Sequence, residues 1–204
     1  MVFSIESFTD MVRRGRKTFK NELGEEDYLT AVQNAKRYSG NLSDLQREDL
    51  NNIISLFLNT WGQCRIPWKE KAIQNRLREL NLSSFDSRSL AELVGFEKEE
   101  TIEFIEQSFE RISSLKLGRR TFGPTATAKL FHLIVPDYFV MWDELIREQW
   151  GCAGNARGYS NFLLRMAFMA KQLHEARWSE KTLTRDLDIY NYILAHHPTK
   201  QARS

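Results

Sequence analysis

Residues 120–147, RTFGPTATAKLFHLIVPDYFVMWDELIR, gather the residue types in this chain that could do chemistry. Asp143 follows Gly123 by twenty positions and stands directly after Trp142, at the predicted start of a helix reading ELIREQW. A carboxylate at a helix start is favoured by the helix dipole. Its sequence neighbours Tyr138, Phe139, Met141 and Trp142 are apolar or aromatic, a setting that suits one charge held beside a flat ring. A carboxylate fixed in this way can stabilise positive charge developing on a bound molecule, or orient and deprotonate an attacking water. The plain alternative is that Asp143 only caps its helix.

Upstream, Phe122-Gly123-Pro124 forms a tight turn, with Pro124 in the first turn of the next helix, where proline is favoured. That helix opens on Thr125, Ala126, Thr127 and Ala128, all small. Its first N–H groups lack intrahelical partners, so with Arg119 and Arg120 beside it the turn could cradle a phosphate. Lys129 lies one turn beyond Thr125 on the same face, and Arg147 one turn beyond Asp143, placed to bind phosphate or pair with a carboxylate. His132, two turns into the helix, reads as a packing residue.

The elements that must position these residues read almost wholly as helix. Apolar residues recur at three- and four-residue spacing in SIESFTDMV, LQREDLNNIISLFLNTW, WKEKAIQNRLREL, TIEFIEQSFERISSL, NFLLRMAFMAKQL and LDIYNYILAHH. No sustained alternation marks a sheet. The expectation is an all-α chain of about nine or ten helices. Its 204 residues, 42% hydrophobic and 27% charged, have an ordinary globular balance. No run approaches the roughly 18 apolar residues a membrane span requires. The basic cluster near the N-terminus follows its apolar positions, unlike a secretory leader. Two cysteines, Cys64 and Cys152, are too few for a zinc or iron–sulfur site, so no metal or cofactor is expected. The expected protein is a cytoplasmic, prokaryotic, nucleoid-associated monomer with no membrane partner.

The net charge is only +2, but its distribution is uneven. Arg13, Arg14, Arg16, Lys17 and Lys20 form a run without an acid; Arg111, Lys116, Arg119, Arg120 and Lys129 form another, covering the turn. A third, from 149 to 174, carries Arg157, Arg165 and Lys171. Such runs favour a polyanionic partner.

On these residues the chain resembles the helix-hairpin-helix (HhH-GPD) DNA glycosylase superfamily. The resemblance rests on the hairpin Phe122-Gly123-Pro124 leading a small-residue helix, on Asp143 followed by Leu145, Ile146 and Arg147, and on the spacing between Gly123 and Asp143. It also rests on the helix LNNIISLFLNTW breaking into the loop GQCRIP, where family members insert a loop into DNA. It covers roughly residues 45–175, with 1–44 and 176–204 as flanking helices of a single all-α domain. The resemblance implies a two-lobed helical fold with the motif near residues 111–134. It implies that double-stranded DNA with a modified or damaged base is the partner, and that the base is flipped out before its N-glycosidic bond is hydrolysed.

Asp143 would then be the catalytic carboxylate. Arg119, Arg120, Thr121, Gly123, Thr125, Lys129 and Arg147 would grip DNA. Trp68, Tyr138 and Trp142 would wall the base pocket, and Asn59, Trp61 or Gln63 would fill the vacated stack. Two departures stand out. The hairpin's usual first glycine is Thr121, and the lysine that bifunctional members carry as Schiff-base nucleophile is Thr125. Together with the missing cluster cysteines, this implies a monofunctional enzyme that leaves an abasic site, in base-excision repair or in defence against phage DNA with hypermodified bases. The alternatives are a non-catalytic helix-hairpin-helix DNA-binding module, and a helical protein–protein adaptor for which Arg119 and Arg120 are irrelevant.

Overall fold

The computed structural model describes residues 3–22, 24–36, 47–66, 75–76, 79–95, 98–179 and 183–197, without the side chains of 21–22, 47–51, 60–61 and 98. Among these residues there are eight α-helices: α1 (Ile5–Glu22), α2 (Glu25–Lys36), α3 (Arg47–Leu56), α4 (Lys98–Ser113), α5 (Pro124–Ile134), α6 (Glu144–Gln149), α7 (Ala156–Glu175) and α8 (Leu183–His196). Short 3₁₀ turns occupy Ser83–Phe85 and Leu90–Val94. The fold is predominantly helical, as the three- and four-residue periodicity requires. Most of the helix expected over WKEKAIQNRLREL, including Trp68, lies outside the described residues.

Each helix buries the face its spacing defines. In α1, Phe8, Val12, Gly15 and Phe19 form one stripe and are all buried. That stripe packs on α8 so closely that a Cβ on Gly15 would stand 2.2 Å from Ile189 Cγ2. In α4 the buried face is Ile105, Phe109 and Ile112, with Glu99 and Glu100 in the first turn and Arg111 in the last, each charge complementing the helix dipole. α5 is apolar nearly all round and runs through the middle of the core, with Ala128, Leu130, Phe131 and Leu133 fully buried. The buried apolar residues of all these segments form one connected cluster.

The connection from α4 to α5 departs from the expectation of no sheet. Residues 116–117 and 120–121 pair as a two-stranded antiparallel ribbon, Lys116 opposite Thr121 and Leu117 opposite Arg120. Gly118, with φ 63°, supplies the positive φ at the first turn position of a two-residue hairpin. Two residues per strand are too few for side-chain alternation to show in a sequence, so only the glycine signals the ribbon.

After α5 the chain turns at residues 135–138, with Asp137 exposed, then runs without helix through 139–142 inside the core, where side chains from other helices hold its backbone. Tyr159 Oη donates to the Val140 carbonyl at 2.9 Å, and Met141 N donates to Asp188 Oδ1 at 2.6 Å. A buried non-helical strand of chain survives only where such partners exist. Here they come from α7 and α8. This segment delivers Asp143 to the start of α6.

Candidate functional site

Asp143 is the N-cap of α6, with φ −130° and ψ −170°. Its Oδ1 accepts from Ile146 N at 2.9 Å, satisfying a first-turn donor. Its Oδ2 faces His196 Nε2 at 2.8 Å. The carboxylate is a quarter exposed (25%) and lies on the wall of a cavity of about 420 Å³. One oxygen therefore caps the helix, as the plainer reading has it, and the other faces an imidazole at the cavity wall.

The cavity collects residues from both ends of the chain. Lys129 of α5 reaches across it, donating from Nζ to the Gly62 carbonyl at 2.8 Å. Gly62 closes a π-helical turn, Phe57–Trp61, at the end of α3, and its N–H returns to the Phe57 carbonyl at 2.7 Å. Single π turns inside helices concentrate at functional sites. Beyond Gly62, Gln63 and Arg65 both adopt left-handed φ values, 51° and 52°. Non-glycine residues hold that conformation at a cost, so the loop at the cavity rim is a constrained one.

The wall that sequence reasoning missed comes from α8. Asp188, Tyr192 and His196 recur every four residues, so they share one helix face, and all three line the cavity. The Tyr192 ring stacks on His196, centroids 4.3 Å apart at 15°, and meets Phe19 of α1 edge-on at 5.0 Å. Arg185, one turn before Asp188, lies over the Phe19 and Tyr28 rings at 4.4 and 4.1 Å and pairs with Glu25 of α2. A polar and aromatic stripe at four-residue spacing was the available signal. No local motif marks it.

Behind the cavity lies a buried polar network. His132 is fully buried; its Nδ1 is 2.6 Å from the Phe139 carbonyl and its Nε2 is 2.7 Å from Tyr28 Oη. The carbonyl can only accept, so Nδ1 carries the hydrogen and Nε2 accepts from the tyrosine. Burial drives the His132 pKa down to about 3, so the ring is neutral. Its 3.5 Å approach to Asp188 Oδ2 is therefore not an ion pair. Burial pushes the Asp188 carboxyl well above the ordinary carboxylate range, against the opposing pull of Arg185 and the hydrogen bond from Met141 N. His132 is thus a packing and hydrogen-bonding residue, as its position on α5 suggested.

Two expected pocket aromatics are buried in the core. Tyr138 is 1% exposed and packs against Phe85 and Phe139, so it offers no face to a ligand. Trp142 borders the cavity but is 1% exposed; Phe109, Tyr159 and Phe162 pack around it, and its Nε1 donates to the Pro124 carbonyl. The accessible aromatic wall is Tyr192 and His196 instead.

Asn59 makes two hydrogen bonds to the backbone of Ile66, which staples the rim loop and leaves no free side chain to insert anywhere. Gln63 is exposed on the cavity rim. The side chain of Trp61 and the whole of Trp68 lie outside the described residues.

The hairpin is also more self-contained than its sequence suggested. Gly123 N donates to the Ser113 carbonyl at 2.9 Å, so this N–H does not face a phosphate. The positive φ of Gly123, 83°, places it as the N-cap of α5, and the first bond of the helix runs from Thr127 N to the Gly123 carbonyl. Thr125 and Ala126 N–H precede that bond. Arg119, Arg120 and Thr121 are exposed at the tip, Thr125 is half-buried, and Lys129 points to the cavity. Arg147 pairs with Glu144 at 3.0 Å and lies against Gly154, where a Cβ would meet its Nη1 at 1.8 Å. Of its two proposed roles, the structure shows the carboxylate pairing. Cys64 and Cys152 are both free thiols, and burial raises the pKa of each.

No helix among the described residues is long and apolar enough to cross a membrane, and those residues hold no cluster of His, Cys, Asp and Glu that could bind a metal ion. Compared with known proteins, the chain matches no family model, no curated sequence and no solved structure.

Proposed function

We propose that the protein is a monofunctional DNA glycosylase: it draws a modified or damaged base out of the duplex and hydrolyses its N-glycosidic bond to leave an abasic site. One observation supports this above the others. Asp143, a partly exposed carboxylate fixed at a helix start, borders a cavity of about 420 Å³ that also holds a side chain of the helix following the hairpin, Lys129. A bond of this kind breaks with positive charge growing on the sugar. The Asp143 carboxylate beside that carbon stabilises the charge, and its Oδ2 can accept a proton from the attacking water. His196, 2.8 Å from Oδ2, donates to that oxygen from Nε2 and orients the carboxylate. Tyr192 and His196 supply a flat wall on which an extruded base can stack.

The direct test incubates the protein with genomic DNAs carrying varied base modifications, then applies hot alkali and mass spectrometry of the released material. Strand breaks and a free base that disappear in Asp143→Asn are the expected result. Borohydride reduction is expected to trap no covalent complex, because Lys129 Nζ is tied to the Gly62 carbonyl; a Lys129-dependent adduct would refute the monofunctional assignment. A second reading, a DNA-binding module without chemistry, draws on the fact that both Asp143 oxygens already accept structural hydrogen bonds. It predicts salt-sensitive DNA binding with no released base.

A further inference from the structure

We propose that Tyr192 is a positioning residue for Asp143: its ring clamps the imidazole of His196 in the plane from which Nε2 reaches the carboxylate, and Phe19 of α1 braces the ring in turn. The proposal rests on the glycosylase reading for the reaction it serves, and on the geometry of four side chains for the clamp itself.

Asp143 needs two anchors. The torsion that turns a carboxylate about its last carbon–carbon bond is broad, so the cap bond from Ile146 N to Oδ1 leaves the group room to swing. His196 Nε2, donating to Oδ2 at 2.8 Å, takes up that freedom. Yet His196 is poorly placed to hold itself. It is the last residue of α8, where helices fray, and its side chain is 24% exposed. An imidazole that turns away loses the bond, because hydrogen bonds weaken steeply with misalignment.

Tyr192 stands one turn earlier on the same face, inside the helix. Its ring lies 4.3 Å from the imidazole at 15°, a stacked pair that restricts the rotation of both. Phe19 meets the tyrosine edge-on at 5.0 Å and is buried in the stripe that packs α1 on α8. Rigidity therefore passes from the core to the carboxylate through Phe19, Tyr192 and His196. All three lie outside residues 45–175, where the hairpin resemblance holds, so the chain's two flanks complete the site.

The test compares wild type, Tyr192→Phe and Tyr192→Leu, each alone and combined with His196→Gln. NMR of the free protein reads the clamp with no ligand added. In wild type and Tyr192→Phe the stacked ring should shift the His196 ring protons upfield, and Nε2–H should give a downfield resonance, assigned by its absence from His196→Gln. Tyr192→Leu should lose both. Single-turnover release is then followed on genomic DNA that gives Asp143-dependent release. Tyr192→Leu should slow it on the order of tenfold or more, as for a misplaced catalytic group, and Tyr192→Phe should recover most of the rate. In His196→Gln, adding Tyr192→Leu should change nothing further, because the ring acts through the imidazole. If the amide spectrum shows Tyr192→Leu unfolded, Tyr192→Met takes its place.

His196 signatures that survive Tyr192→Leu overturn the proposal. So does weaker DNA binding with an unchanged release rate, or a slowing of equal size in the His196→Gln background. Asp143-dependent release that ignores Tyr192→Leu leaves the glycosylase reading standing while Tyr192 falls. Loss of both NMR signatures in Tyr192→Leu, with no release from any DNA by wild type, does the reverse.

Discussion

On the proposed function Asp143 would do two jobs with one carboxylate, and substitutions can separate them. Asparagine keeps an oxygen for Ile146 N, so Asp143→Asn should unfold in urea close to wild type while base release falls by a factor of about a hundred or more, on the order expected for loss of an electrostatic stabiliser. Asp143→Ala loses the cap as well and should cost about 1 kcal/mol of stability. Equal activity in wild type and Asp143→Asn would reduce the residue to a cap.

His132 and Asp188 make a second prediction through their opposite shifts. His132 titrates at about 3 in the fold and 6.5 unfolded, so between those values the unfolded chain holds an extra proton, and stability is lost as pH falls. Asp188 is raised from 3.8, so above that value the folded chain holds the extra proton, and stability is lost as pH rises through its folded value. Between pH 3.8 and 6.5 the two slopes oppose. Removing the second in Asp188→Asn should expose the first: urea midpoints of the variant should drop relative to wild type as pH is lowered through this window. Parallel pH curves would show that Asp188 does not carry its shift.

Among the elements, those legible in sequence were the ones whose signal is local. The α4–hairpin–α5 unit follows from periodicity, from Gly123-Pro124 and from the small residues at the start of α5. The cap at Asp143 follows from its place before ELIR. What α8 contributes was not legible, because Asp188 and His196 acquire meaning only from contacts with Met141 and Asp143 far away in sequence. Tyr138 and Trp142 were misread for the mirror reason: an aromatic beside a catalytic candidate in sequence can still point into the core. The position of α8 is set by α1, which approaches it at Gly15. Alanine there would gain about 1 kcal/mol in helix propensity. Against that, its Cβ would lie 2.2 Å from Ile189 Cγ2 and 2.9 Å from Ile193 Cγ1, an overlap that must push α8 away. Overpacking should win, and Gly15→Ala should lose about 1–3 kcal/mol. Adding Ile189→Ala should recover part of that loss, and base release should track the displacement of His196. A Gly15→Ala protein as stable as wild type would show that the two helices are not held at this contact.

For the molecule as a whole, the sequence separated basic runs from acidic ones, and the fold sorts the basic runs further. In α1, Arg13 pairs with Asp10 at 3.2 Å and Arg16 with the buried Asp186 at 2.7 Å, so part of that run is spent internally. The hairpin keeps Lys116, Arg119 and Arg120 exposed on the ribbon that leads into α5. If DNA is the partner, charges of the second kind displace counterions and those of the first kind do so far less. For every phosphate left without its cation, the slope of log affinity against log salt should fall by about 0.9. Replacing both Arg119 and Arg120 with alanine should therefore flatten the slope by nearly two such steps, measured on unmodified duplex by fluorescence anisotropy across a salt series. Arg13→Ala should leave it nearly unchanged, since its partner Asp10 already neutralises it. Because the hairpin packs through Leu117 and Phe122, both buried, and the two arginines lie outside that packing, the double variant should keep its folding midpoint. An unchanged slope with an unchanged fold would remove the hairpin from the DNA interface, and with it the reason to place a deoxyribose beside Asp143.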